Sequence, residues 1–158
     1  MKKYQIIYAD PPWSYGGRKL NASTGGKEIT DHYPVMETDI ICQLPIKEIA
    51  DKDCVLFLWV VYPKLEDAFR VIKEWGFKYS TVAFEWIKLI NPYKFQLVQF
   101  MGANVVGGGV ELCLLARKGN LKRINKTIKR MVIEVRRKHS EKPNQEVRKR
   151  IVGLFGDL

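Results

Sequence analysis

The chain has 158 residues, of which 46% are hydrophobic, and this predicts a single domain with a buried core. It contains neither an apolar run long enough to span a bilayer nor a signal-peptide pattern, so we exclude a membrane protein and expect a cytoplasmic one. Two histidines and three widely spaced cysteines match neither a metal site nor a disulfide framework, so we predict no metal.

The first predicted element is a buried strand, Tyr4–Ala9, which leads directly into Asp10-Pro11-Pro12-Trp13. In open α/β sheets, ligands bind at the carboxyl ends of strands. Two consecutive prolines cannot extend a central strand, because they lack the N–H groups that the sheet needs. We therefore predict a rigid corner whose carbonyl oxygens have no neighbouring N–H, beside a carboxylate and an indole ring.

This corner suits the recognition of an amino group on a nucleobase. Adenine N6 is a poor nucleophile, because its lone pair is delocalised into the ring. The Asp10 carboxylate and the Pro11 carbonyl could accept its two N–H groups, and Trp13 could stack on the base, a contact worth about 1–3 kcal/mol per base. The alternative is an ordinary turn with Trp13 in the core, and the tetrapeptide alone favours neither interpretation.

Two long loops are predicted from glycine content and length. The first, Ser14–Tyr33, leaves the Pro-Pro corner directly and is too long for a simple connection, so we interpret it as a flap over the target base. The second, Asn91–Gly109, ends in three consecutive glycines and matches neither the GxGxxG pattern nor the P-loop.

The remaining elements follow from apolar runs rich in branched and aromatic residues, and from apolar residues at helical spacing. Further strands are predicted at Cys54–Val61, Ser80–Leu89, Val110–Ala116 and Met131–Val135, and helices at Glu37–Leu44, Lys64–Trp75 and Pro143–Phe155. This alternation predicts an α/β fold, a doubly wound sheet with crossover connections.

The net charge of +10 is concentrated near the C-terminus. Residues 1–116 are neutral overall, residues 117–150 carry +11, and residues 151–158 carry −1. Such a basic segment favours salt-sensitive contact with phosphate backbones. The alternative is a solvated basic face that only aids solubility.

Segments along almost the whole chain resemble one family, in that family's order. They are Ile7–Trp13, His32–Met36, Leu44–Ile46, Leu56–Val60, Trp75–Tyr79, Trp86–Lys88, Glu111–Gly119 and His139–Pro143. The set is similar to the S-adenosylmethionine-dependent adenine N6-methyltransferases, which include the eukaryotic messenger-RNA adenosine methyltransferase and many bacterial and phage DNA methyltransferases. The resemblance implies one methyltransferase domain over residues 1–158, with a Rossmann-like doubly wound sheet.

The same resemblance implies roles for individual residues. Asp10, Pro11, Pro12 and Trp13 would form the catalytic corner that holds the target amine. Asp10 and Lys142 would border the cofactor, S-adenosylmethionine. The substrate side would be lined by Trp13, Tyr15, His32, Tyr33, Trp86, Lys88 and Glu111. For Trp59 and Trp86, which lie in apolar strands, the alternative is a place in the core.

Two departures from the family pattern affect these expectations. Asn104–Gly109 replaces an aromatic–Thr–Arg-like stretch, and the sequence stops at Leu158, where related sequences continue with a strand and further segments of the cofactor pocket. That strand would normally lie beside Tyr4–Ala9. We therefore expect a C-terminally truncated methyltransferase with weak cofactor binding and slow or no turnover, whose exposed first strand a second copy or a partner subunit could cover.

Together these features predict direct methyl transfer from S-adenosylmethionine to adenine N6 in DNA. We expect no covalent enzyme intermediate, because no cysteine or serine has an activating partner in the sequence. In duplex DNA the base must first leave the stack, at a cost of a few kcal/mol. The alternatives are an RNA adenine N6-methyltransferase and a truncated, non-catalytic nucleic-acid-binding relative.

Overall fold

The computed structural model describes residues 2–14, 35–91, 93, 96–97, 109–135 and 141–158. Within them, six strands form one sheet: β1 (Tyr4–Ala9), β2 (Ala50–Val60), β3 (Lys78–Asn91), β4 (Gln96–Leu97), β5 (Val110–Lys118) and β6 (Met131–Val135). The helices are α1 (Thr38–Gln43), α2 (Ile46–Ile49), α3 (Leu65–Glu74) and α4 (Asn144–Phe155), and a short 3-10 turn spans Tyr62–Lys64.

The sheet is mixed in strand direction. Its order is β1-β2-β5-β3-β4, and β6 pairs with β3. β1 is parallel to β2, and β6 is parallel to β3, but β5 lies antiparallel between β2 and β3. The predicted α/β class is confirmed at this level. Predicted crossovers link β1 to β2 and β2 to β3, whereas β5 returns beside β3 as an antiparallel neighbour, which needs no helical crossover.

Helices cover both faces of the sheet, as the alternation along β2 requires. Leu56 and Leu58 belong to the core cluster that includes residues of α1 and α3, whereas Phe57 and Trp59 belong to the cluster that includes residues of α4. Because β2 is buried on both faces, its sequence is an almost continuous apolar run.

Helix α3 has an apolar stripe and a glycine stop. Its buried residues Ala68, Val71 and Ile72 face the sheet, while acidic side chains lie in its first turn. The helix ends before Gly76, whose φ of 80° is disfavoured for residues with a Cβ atom. The apolar spacing and the glycine are therefore sufficient to predict both the helix and its end.

Every predicted strand and helix appears in the structure, with bounds that differ by at most a few residues. Three short elements of the described part were not predicted: α2, the 3-10 turn Tyr62–Lys64, and β4, which lies inside the predicted loop Asn91–Gly109. Of the predicted flap, only Ser14 is described, and Tyr15, His32 and Tyr33 lie outside the described residues. None of the helices in the described part is long and apolar enough to cross a membrane.

Candidate active site

Strand direction brings chemically active residues from distant parts of the chain to one edge of the sheet. Asp10 directly follows β1, and Lys88 lies near the carboxyl end of β3. Glu111 lies at the amino end of β5, which reaches the same edge because β5 is antiparallel to β3. Lys142 precedes α4 and joins this group. This edge is where open α/β sheets bind ligands.

The four side chains form an alternating charge network. The two oxygens of the buried Glu111 carboxylate accept hydrogen bonds from Lys88 and Lys142. Lys142 Nζ also lies 3.7 Å from Asp10 Oδ1. Because opposite charges alternate, each buried charge has a partner, which is the condition under which charged groups tolerate burial.

Two tryptophan rings support the lysines of this network. Lys88 Nζ lies 4.7 Å from the centre of the Trp86 ring, and Lys142 Nζ lies 5.6 Å from that of Trp59. The two rings pack edge to face, with centres 6.4 Å apart. Such cation–π contacts orient an ammonium group over a ring face. Trp59 and Trp86 are both fully buried, as the core interpretation predicts.

A second set of hydrogen bonds holds the start of α4 in place. Trp59 Nε1 donates to the Tyr8 hydroxyl at 2.7 Å, and this hydroxyl donates to Asn144 Oδ1 at 2.8 Å. Burial raises the pKa of Tyr8, so the hydroxyl keeps its proton at neutral pH. Since Asn144 lies two residues after Lys142, these bonds also fix the position of that lysine.

Asp10 is the member of the network that faces solvent. Its side chain is 48% exposed, against 7% for Glu111 and 11% for each lysine. Desolvation raises the pKa of Asp10, and the nearby charge of Lys142 opposes that shift. A ligand entering this edge therefore meets the Asp10 carboxylate first, ahead of the charges behind it.

The Pro-Pro corner differs from the sequence-based prediction in one respect. The Pro11 carbonyl accepts a hydrogen bond from the Trp13 N–H at 2.9 Å, and the Pro12 carbonyl accepts one from the Met36 N–H at 2.8 Å. The prediction that these oxygens have no neighbouring N–H is therefore wrong, because the chain turns back sharply and the segment before α1 lies alongside. Each carbonyl still has a second lone pair for a ligand.

The resemblance implies that Trp13 and Trp86 contact the substrate, which requires exposed ring surface. In the structure both rings are buried. Trp13 is 5% exposed, and its indole N–H donates to the Trp59 carbonyl at 2.9 Å. In this conformation its ring is a packing group with little surface for a base. The fully buried Trp86 would meet a substrate only through the lysines on its ring. Its Nε1 atom has no hydrogen-bond partner in the described part of the chain.

Tyr8 and Asn144 are residues of the site that were not predicted from the sequence. Tyr8 lies two residues before Asp10 on an extended segment, so the alternation of a strand predicts that the two side chains point the same way. Asn144 gives no comparable signal. The thiol of Cys113 is fully buried near the site, and desolvation raises its pKa well above the usual value, so this thiol is not an activated nucleophile.

The site lies at the carboxyl edge of a mixed α/β sheet and combines a half-exposed carboxylate, a lysine and carbonyl oxygens with a spare lone pair. These features place the protein in the class of α/β domains that bind a ligand at this edge. The MT-A70 family model matches residues 4–154, so the chain belongs to the MT-A70 family. This confirms the resemblance to adenine N6-methyltransferases, and the chain is a methyltransferase-family protein.

Two relatives illustrate the range of this similarity. The chain is 34% identical over 158 residues to the Type II methyltransferase M.MunI of Mycoplasma sp., an alignment that covers 90% of this chain and 64% of M.MunI. It is 28% identical over 122 residues to the N6-adenosine-methyltransferase non-catalytic subunit MTB of Arabidopsis thaliana, which covers 77% of this chain and 15% of MTB. The chain thus spans less than two thirds of either relative.

Proposed function

We propose that this protein transfers a methyl group from S-adenosylmethionine to N6 of adenine in DNA. The observation that carries the proposal is the half-exposed Asp10 carboxylate at the end of β1, next to the Pro11 carbonyl with its spare lone pair. Two acceptors match the two N–H groups of an exocyclic amine. The identity to a Type II methyltransferase favours DNA over RNA as the substrate.

Asp10 would act on the amine in two ways. By accepting an N–H, its carboxylate draws electron density towards N6 and offsets the positive charge that develops there during attack. In the transfer the methyl carbon would exchange its bond to the sulfur, which keeps the electron pair, for a bond to N6, and the nitrogen must then release a proton. The raised pKa of Asp10 makes its carboxylate a better acceptor for that proton than an ordinary aspartate.

The residues present also fit the cofactor, which when bound supplies the methyl group on a positively charged sulfur. Asp10 and Lys142 would hold it, because a carboxylate and an ammonium 3.7 Å apart offer both signs of charge to a ligand that carries both. Glu111 and the Trp59 ring hold the lysine from behind, so its ammonium is already in place when a ligand arrives.

Further residues are proposed to act on the substrate side of the site. Lys88 and Glu111 would act as positioning residues behind Asp10, since both are buried and connect to it through Lys142. Contacts from Tyr15, His32 and Tyr33 stay predictions, as does stacking by Trp13. Pairing of β1 with a second copy or a partner subunit is also a prediction, and light scattering of the purified chain would test it.

Radiolabelled methyl transfer to DNA and to RNA tests the proposal, with Asp10→Asn as the test variant. The exposed Asp157 offers a matched control, Asp157→Asn, with the same change far from the corner. We expect label in DNA with the wild type and the control, and at least a hundredfold less with Asp10→Asn, a loss on the order of the usual acid–base contribution.

Two other outcomes would overturn the proposal, and each would identify a different function. Label in RNA alone would identify an RNA methyltransferase. No label in either polymer, from a folded chain that still binds nucleic acid, would identify a non-catalytic binding protein. That second candidate is favoured by the similarity to a subunit described as non-catalytic.

A further inference from the structure

The segment 119–130, which we call the basic loop, joins β5 to β6 and carries a concentrated positive charge. Its five cationic side chains are all exposed, and the loop contains no acidic residue. They are Lys122, Arg123, Lys126, Lys129 and Arg130. None of them forms an ion pair with a carboxylate within the described ranges. The loop therefore offers uncompensated charge to a partner.

The basic loop is anchored at several points although it contains no helix or strand. The Asn120 N–H donates to Asp53 Oδ1 at 2.7 Å, and the Ile124 N–H donates to the Leu154 carbonyl at 2.8 Å. Arg150 Nη1 donates to the Lys129 carbonyl at 2.8 Å. Anchoring distinguishes this loop from a mobile, merely solubilising run of charges.

The loop lies along α4, which adds a further cation. Both elements line one groove of about 510 Å³, which includes Lys129 and Lys149 together with the ion pair of Glu146 and Arg150. Lys129 and Lys149 thus stand at one groove from two different elements. Ile128 packs against the core beneath, so the groove floor is fixed to the body of the protein.

The position of the loop relative to the candidate site follows from α4. This helix starts at Asn144, beside the site, and Leu154, which binds Ile124, lies ten residues further on. At 1.5 Å per residue, that is roughly 15 Å along the helix. Lys122, Arg123 and Lys126 flank Ile124 and lie at this far end, whereas Lys129 lies opposite Arg150, about halfway back. The exposed cations of the loop are therefore spread along α4, from its far end to about its middle.

We propose that the basic loop and Lys149 bind the phosphate backbone of duplex DNA on one side of the target adenine. The proposal rests on the proposed DNA substrate and adds a contact that the Asp10 corner cannot make. Such contacts hold the duplex in register without reading its sequence.

The test compares two triple variants of the whole chain, with equal loss of charge. The test variant is Lys122→Gln, Arg123→Gln, Lys126→Gln in the basic loop. The control is Lys47→Gln, Lys73→Gln, Lys78→Gln, at exposed lysines outside the loop. Fluorescence anisotropy with a duplex of about 25 base pairs gives the dissociation constant over a range of salt concentrations. Circular dichroism melting establishes that both variants are folded.

The logarithm of the association constant falls with the logarithm of the salt concentration. We expect the magnitude of this slope to decrease by about 2 to 3 in the test variant and to stay at the wild-type value in the control, since each lost phosphate contact removes about 0.9. Equal slopes in the two variants would overturn the proposal, as would tighter binding of single-stranded RNA than of the duplex. The binding measurement uses no cofactor and needs no catalysis. If the slopes are as expected but the separate methyl-transfer assay fails, the failure therefore counts only against the proposed function.

Discussion

The ammonium group of Lys142 lies 3.7 Å from Oδ1 of Asp10, and so joins the segment before the last helix to the corner after the first strand. The same ammonium binds the buried carboxylate of Glu111. Lys142 therefore links a solvent-facing carboxylate to a buried one. Its charge also lowers the pKa of Asp10, against the desolvation that raises it.

Replacing Lys142 with glutamine should make methyl transfer more sensitive to acid. Asp10 must be ionised to accept an amine N–H, and loss of the cation leaves the desolvation that raises its pKa unopposed by this charge. In a pH–rate profile at saturating cofactor, the midpoint of the acidic limb should move to higher pH. Lys73→Gln, at an exposed position on α3, should keep the wild-type midpoint. An unmoved or lowered midpoint in Lys142→Gln would contradict the assigned role of Lys142.

Asp10→Asn should leave the protein at least as stable as the wild type at neutral pH. Because the folded-state pKa of Asp10 is raised, the unfolding free energy of the wild type falls as the pH rises through that pKa, and the variant lacks this loss. In urea unfolding at about pH 4 and about pH 7, the unfolding free energy of the variant relative to that of the wild type should therefore be greater at the higher pH. A loss of more than about 2 kcal/mol at neutral pH would make Asp10 a structural residue.

Glu111→Gln should destabilise the protein strongly. The substitution leaves the ammonium groups of Lys88 and Lys142 close together without the carboxylate that both bind. Removing one partner of a buried ion pair costs about 3–5 kcal/mol of unfolding free energy. Glu66→Gln, at an exposed position in α3, should change it by less than about 0.5 kcal/mol. Similar values for the two variants would show that the network contributes little to stability.

Gly119→Ala should be more harmful than Gly156→Ala, although both residues have positive φ, of 65° and 90°. A Cβ atom on Gly119 would lie 2.3 Å from the Lys52 carbonyl oxygen, whereas one on Gly156 would meet only the end of Ile124 at 3.8 Å. We expect a loss of about 1–3 kcal/mol at Gly156 from backbone strain and roughly 1–3 kcal/mol more at Gly119 from the clash. Equal losses in thermal unfolding would contradict the close approach.

The strands and helices were predictable because their periodicities are local. The direction of β5 was not, since an apolar run such as Val110–Ala116 carries no mark of the neighbours that it will pair with. Residue contacts show the same limit. The N–H that binds the Pro12 carbonyl comes from Met36, in a separate segment, and the Trp13 ring, 5% exposed, packs in the core. An aromatic ring at a strand end can lie in the core or at a binding site, and the sequence does not distinguish the two. The position of Trp13 depends on its packing against Trp59, which is distant in the sequence.

The identity of the methylated nucleoside tests the central claim most directly. DNA incubated with the chain and S-adenosylmethionine can be digested to nucleosides and analysed by mass spectrometry. The two acceptors proposed at the Asp10 corner predict N6-methyl-2′-deoxyadenosine from the wild type and its loss in Asp10→Asn. Methylated cytosine, or equal amounts of N6-methyl-2′-deoxyadenosine from both proteins, would contradict the assignment of Asp10 as the residue that holds the adenine amine.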